Sequence, residues 1–395
     1  MLANRVHYIN EPQTIAMAKD ARELASKGHD IINLSLGEPD FDTPQHIKTA
    51  AIEAINQNFT HYTPVAGIPE LREAVCTKLL RDNELTYKPE QVVVSTGAKH
   101  SIMNVIMALV NPGDEVIIPT PYWVSYSEMV KLMQGSPVFI SSGIKQNYKI
   151  TAQQLRAAIT PKTKVFMFSS PCNPSGSIYS KSELQELVNV FKDFPDIYII
   201  SDEIYEYINY LDKHFSIAAF DEVYNRVILV NGLSKGYAMT GWRLGYIAAP
   251  VSIAQACEKI QAQYTSATSS ITQKAAVAAL LGSLEPTIEM KKSFLRRKSL
   301  VQTALKQIPG LICNNPDGAF YFFPDVSSYF GKKFNKTTIA NATDLCMYLL
   351  HEAHVSLVSG DAFGEPNCIR ISYAAADEKL QAACQRIKTA LEKLV

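Results

Sequence analysis

Asn231-Gly232-Leu233-Ser234-Lys235-Gly236-Tyr237-Ala238-Met239-Thr240-Gly241-Trp242-Arg243-Leu244-Gly245 decides the reading of this chain. An apolar run over 227–230 leads straight into Ser234-Lys235, and Arg243 follows the lysine by eight residues. A lysine at the end of a buried strand is a costly choice, because burial disfavours its charged form. A lysine made neutral by its surroundings can form a Schiff base. An arginine fixed nearby would then hold an anionic group of the bound molecule, such as a phosphate. The plain alternative is a surface loop with an ordinary lysine, and the rest of the chain separates the two.

Outward from this stretch, short β-rich runs alternate with amphipathic helical ones. Strands are predicted over 91–95, 115–119, 165–169, 197–201, 227–230 and 244–248, with helices over 99–110, 123–133 and 182–191. Such alternation argues an α/β unit with a mostly parallel sheet buried on both faces. Ligands of these sheets bind beyond the carboxyl ends of the strands. After about residue 285 the pattern changes: a long helix over 284–306, then the run 319–323, a helix over 343–353, strands over 355–358 and 368–373, and a last helix over 378–394. With the N-terminal forty-odd residues these read as a smaller α+β domain built from both chain ends. The expected division is 46–285 for the large domain, and 1–45 with 286–395 for the small one.

The 395 residues carry 38 basic and 38 acidic side chains, which gives no electrostatic reason to bind nucleic acid or an anionic membrane. No apolar run approaches the ~20 residues of a membrane span, and the N-terminus lacks a signal-peptide core. The seven cysteines (Cys76, Cys172, Cys257, Cys313, Cys346, Cys368, Cys384) contain no Cys-x-x-Cys pair. They fit free thiols in a reducing cytoplasm rather than a disulfide framework or a zinc site. The eight histidines show no ligand spacing, so no metal is expected.

The lysine stretch resembles the pyridoxal-phosphate motif of the class I aminotransferases (fold type I), Ser-Lys-x-x-x-x-x-Gly-Trp-Arg-x-Gly. The likeness runs from Leu36-Gly37-Glu38-Pro39-Asp40-Phe41 to Arg370 and is strongest to the bacterial aspartate and prephenate branch. It implies a fold type I enzyme with pyridoxal 5'-phosphate bonded to Lys235, acting as a cytoplasmic homodimer with shared active sites. It implies a ping-pong transfer of an amino group from aspartate or a similar amino acid to 2-oxoglutarate. Prephenate or aromatic transamination and carbon–sulfur elimination remain open on the same fold. A ligand sensor with a decayed aminotransferase domain is disfavoured by the presence of Lys235.

Each block carries its own chemistry beside the implied role. Ser201-Asp202-Glu203-Ile204-Tyr205 closes an apolar strand. A pyridine cofactor works as an electron sink only while its ring nitrogen is protonated, and a neighbouring carboxylate keeps it so. The resemblance makes that carboxylate Asp202 and gives Tyr205 the ring's phenolic oxygen; the alternative is that Asp202 caps a helix. Ser170-Pro171-Cys172-Asn173-Pro174-Ser175-Gly176 is richer in turn residues than a plain turn needs, and Asn173 is implied to donate to cofactor and substrate. Gly97, Ala98 and Lys99 open a helix after a strand, where free backbone N–H groups suit a phosphate; Arg243 and Ser234 complete that cofactor set. Trp123 is implied to stack on the cofactor ring. Tyr62 is implied to reach the partner subunit's phosphate, with the 266–270 segment also crossing between subunits. Arg370, among the apolar residues of a short strand, needs an anionic partner and is implied to grip the substrate α-carboxylate, aided by the Gly37 backbone. Lys99 opposes the dipole of its helix, so an anion is expected beside it; the branch implies the side-chain carboxylate of an acidic substrate, covered by Thr14. Two positions depart from the pattern: Gly232 stands where many members carry a phosphate-binding serine, and Pro12 stands where a serine often precedes the threonine by two residues.

Overall fold

The computed structural model describes residues 2–10 and 13–395. Its largest sheet has seven strands: β1 (Val92–Ser95), β2 (Glu115–Pro119), β3 (Ser136–Ile140), β4 (Thr163–Ser169), β5 (Tyr198–Asp202), β6 (Val227–Gly232) and β7 (Gly245–Ala248). Their spatial order is β1-β7-β6-β5-β4-β2-β3. Neighbours from β6 through β3 are parallel, and β7 runs antiparallel to both β6 and β1. Successive side chains go to opposite faces. Val227 and Leu229 join one core with Phe166 and Ile199, while Ile228 and Val230 join a second with Val165 and Ile200. Both faces are covered, which is why these strands read as unbroken apolar runs.

Helix α1 (Gln13–Ser26) leads in from the N-terminus; α2 (Pro69–Asn83) and α3 (Ala98–Leu109) cover opposite faces of the sheet. On α3 the buried Ile102, Val105, Ile106 and Leu109 recur at helical spacing and form its inward stripe. A third core gathers α4 (Glu285–Leu305), α5 (Asp377–Leu391), and the strands around Tyr321 and Ile369–Ser372. Met17, Ala21, Ile32 and Leu34 belong to it as well, so both chain ends share one core. Ile32–Asn33 pairs in parallel with Val355–Ser356.

Several helices outside the expected set are present, among them α1, α2, Gln45–Asn56, Val251–Tyr264 and Ser270–Leu281, and two strand regions differ from the expectation. Strand β3 was not anticipated: its sequence Ser-Pro-Val-Phe-Ile contains a proline, and only Ile140 of the five is buried. It lies at the sheet edge, where a proline is tolerated. The strand expected over 355–358 is two short ones, Val355–Ser356 and Val358–Ser359, which pair with different partners. Among the described residues no helix is long and apolar enough to cross a membrane.

Candidate active site

A cavity of about 420 Å³ opens beyond the carboxyl ends of β4, β5 and β6. Asp202 is the last residue of β5, Lys235 follows β6 by three residues, and Asn173 follows β4 by four. All three line the cavity, together with Ala98, Lys99, Trp123, Tyr205, Ser234, Arg243, Gly37 and Arg370. Thus residues drawn from 37 to 370 of the sequence are brought to one place.

The Lys235 ammonium donates to the Gly37 carbonyl at 2.5 Å. Burial holds its pKa down at about 8, with Arg370 and Arg243 adding to the depression and Glu38 and Asp202 opposing it. This is the partly neutral lysine that Schiff-base chemistry needs. Asp202 is 5% exposed. It accepts a 2.6 Å hydrogen bond from the Tyr126 hydroxyl and a 3.2 Å bond from the Ile204 N–H. Burial pushes its carboxyl up to about 6, against these hydrogen bonds. A cation held beside it would reverse that shift. The Tyr205 and Tyr321 hydroxyls share a hydrogen bond of 2.7 Å, and the Lys235 Nζ stands 5.8 Å from the centre of the Tyr205 ring.

Arg370 is 2% exposed, between the rings of Tyr321 and Phe363 at 4.7 and 4.9 Å. Its guanidinium donates to Asn173 Oδ1 at 2.9 Å and to the Ser35 carbonyl at 2.5 Å, while its Nε has no partner. Among the described residues no carboxylate pairs with it. A buried guanidinium without a counter-ion is costly, so the site suits an anionic ligand. Asn173 Oδ1 is occupied by Arg370, which leaves its amide N–H₂ to donate.

The other wall is built on α3. Gly97 sits at φ +91°, and a Cβ there would lie 2.3 Å from the Arg243 guanidinium, so only glycine allows this approach. The Gly97 N–H is taken by the Ser95 carbonyl at 2.8 Å, whereas the N–H groups of Ala98 and Lys99 head the helix without a backbone acceptor. Arg243 itself donates to the Thr240 carbonyl at 2.8 Å. Lys99 lies 4.9 Å over the Trp123 ring, its pKa lowered by burial and then by Arg243. The departure at Gly232 has a steric basis: a Cβ would lie 2.8 Å from the Leu244 carbonyl and 2.9 Å from Gly245 Cα. A serine there would require the β6–β7 pair to separate. Ser234 lies in the cavity wall instead.

Of the expected residues, Gly97 and Tyr62 do not line the cavity: Gly97 stands behind Ala98 with its N–H already bonded to Ser95, so it serves the site by its shape rather than as a donor. Tyr62 is 99% exposed on the surface of the single chain. The Thr14 side chain lies outside the described residues, although its backbone belongs to α1. Conversely, Tyr126 and Tyr321 line the cavity without having been singled out. Tyr126 follows Trp123 by three residues, so the helix expected over 123–133 would have put both on one face; the helix itself begins at Ser125. Tyr321 sits in the run Phe320-Tyr321-Phe322-Phe323, which reads as core and offers no local cue.

These residues fit pyridoxal phosphate: a buried carboxylate for the ring nitrogen, a lysine poised near neutrality, and an arginine beside an open helix N-terminus for the phosphate. Comparison with known proteins agrees. The family "Aminotransferase class I and II" matches residues 29–387. The aspartate/prephenate aminotransferase of Cereibacter sphaeroides is 47% identical over 390 residues, 98% of each chain. The aspartate aminotransferase of Geobacillus stearothermophilus is 44% identical over 99% of each chain. The crystal structure of the Rhizobium meliloti aspartate aminotransferase superimposes with a TM-score of 0.97 at 41% identity, covering 100% of both chains. The chain therefore belongs to the class I and II aminotransferases and is a pyridoxal-phosphate-dependent transferase of amino groups.

Proposed function

We propose that this enzyme transfers the amino group of aspartate to 2-oxoglutarate, with prephenate as a further amino acceptor. The observation that carries this reading is that Arg370 and Lys99 line one cavity with Lys235, in addition to Arg243, which is assigned to the phosphate, and Arg22, which is exposed. A dicarboxylic substrate has one carboxylate for Arg370 and one for Lys99. Relatives named aspartate or aspartate/prephenate aminotransferase, and a Thermus thermophilus aspartate aminotransferase solved with maleate, support it.

When bound, pyridoxal phosphate supplies the electron sink for the carbanion at the substrate Cα. Asp202 would hold a proton at the ring nitrogen, and Tyr126 orients that carboxylate. Arg370, fixed by Asn173 and Ser35, takes the α-carboxylate and so turns the Cα–H bond toward Lys235. The Lys235 amine removes the Cα proton and carries it as general base and then acid. Tyr205 would donate to the ring's phenolic oxygen. The Ala98 and Lys99 N–H groups with Arg243 would hold the phosphate, and Trp123 would lie against the ring.

Lys99→Ala should lose ~1.5–3 kcal/mol of transition-state binding for aspartate and glutamate, the usual worth of a charged hydrogen bond. Aromatic amino acids should be affected much less. If cofactor affinity falls and all substrates suffer equally, Lys99 serves the phosphate and the acidic preference loses its support.

We also propose a cytoplasmic homodimer, with the chain divided into 46–285 and the two ends. Free cysteines support the compartment. A fully exposed Tyr62 supports a partner at that surface. Mixing inactive Lys235→Ala and Tyr62→Ala proteins should restore part of the activity through hybrid dimers. A fully active monomer in sedimentation would rule this out.

A further inference from the structure

Lys78 on α2 is 0% exposed, yet it does not line the active cavity. Its ammonium forms an ion pair with Glu206 and donates to Asn83 Oδ1 at 2.7 Å. The same carboxylate accepts from Asn83 Nδ2 at 2.9 Å on one oxygen and from Asn231 Nδ2 at 2.9 Å on the other. Asn231 in turn accepts from the Gly232 N–H at 2.7 Å. Three pieces of chain therefore meet on one carboxylate: the end of α2, the turn after β5, and the end of β6.

Their places in the sequence matter. Glu206 directly follows Tyr205 and lies four residues beyond Asp202; Asn231 lies four residues before Lys235. The turn is tightened by the Glu206 N–H donating to the Glu203 carbonyl at 2.9 Å. Glu203 is held separately, by Ser201, Ser216 and His214. Burying two charges costs more than an apolar pair of the same volume, so such a pair is weak evidence for stability. Charge-assisted hydrogen bonds do fix direction, and a misplacement of about 1 Å in a catalytic group can cost about a hundredfold in rate.

We propose that Lys78, Asn83, Glu206 and Asn231 form a buried clamp that holds the Asp202–Tyr205 turn in register with Lys235, as positioning residues for amino transfer. The clamp rests on the reading of Lys235 and Asp202 as the working pair.

The test uses the holoenzyme. The double variant Lys78→Met with Glu206→Gln removes both charges together; Gln matches Glu in length, and Met is one heavy atom shorter than Lys. It should lower kcat at least ~10-fold with KM for aspartate within ~3-fold, and move the pH titration of the bound cofactor's absorbance by ~0.5 pH unit or more. Leu71→Val, a packing change on the same helix, should lower Tm without moving kcat or the titration. Asn231→Ala severs only the β6 limb and should reproduce the double variant's titration shift in a folded protein. Wild-type kcat and titration in the double variant would overturn the clamp. If the double variant does not fold, the same wild-type behaviour in Asn231→Ala would overturn it. Lys235→Ala is measured alongside: full activity there would refute the working pair itself, which separates that failure from failure of the clamp.

Discussion

Replacing Lys235 with alanine should reduce kcat by ~10⁴-fold or more, beyond the upper end of what one positioned acid–base group contributes, since its covalent bond to the cofactor is lost as well. Borohydride reduction of the wild-type holoenzyme should fix the cofactor on Lys235; recovery on another lysine would refute the assignment. The lysine is also a cost to the fold. With its pKa held at about 8 by burial, the unfolded chain binds more protons between about 8 and the ordinary lysine value of ~10.4. Apo-protein stability should therefore rise with pH through that window, and the penalty is fully present below it. The shift corresponds to about 3 kcal/mol. Apo Lys235→Met should accordingly resist denaturant better than the wild-type apo-protein at pH 7, as expected where function is placed on a destabilising residue. Lower resistance would show that the Gly37 carbonyl and the acids nearby outweigh desolvation.

Arg370→Ala should lower kcat/KM for amino acids and oxo acids alike. Truncating one partner of a buried charged pair costs ~2–5 kcal/mol, or about 30- to 4000-fold. Cofactor binding should be largely retained, because Arg370 contacts Asn173 and Ser35 rather than the α3 end of the site. Arg370→Lys keeps the charge but not the planar fork, so it should recover only part of the loss. An unchanged KM for both half-reactions in Arg370→Ala would disprove its carboxylate role.

Much of this site was legible because its parts are local. A strand that ends in Asp202, a strand that runs into Lys235, and a glycine turn that opens α3 are each contiguous patterns of burial period and turn chemistry. The family likeness then assigned roles along the chain. The buried strands were legible for the same reason: β1, β5 and β6 are apolar on both faces. The edge strand β3 was not, because half-exposed residues with a proline give neither an alternating nor a continuous signal.

Tertiary structure alone decided which distant groups meet. Tyr126 reaches Asp202 across 76 residues, Tyr321 reaches Tyr205 across 116, and Arg370 reaches the Ser35 carbonyl across 335. A tyrosine among phenylalanines, or a lysine within a helix, has the same local pattern whether it packs or positions. Only the folded chain shows that Lys78 is buried and paired with the Glu206 carboxylate. The sequence by itself determined the buried strands, the glycine turn that opens α3 and the nature of the reactive side chains, since these follow from nearest-neighbour sterics and periodic burial. The pairings that tune and hold those side chains depend on which surfaces the sheet brings face to face, and no local pattern encodes that.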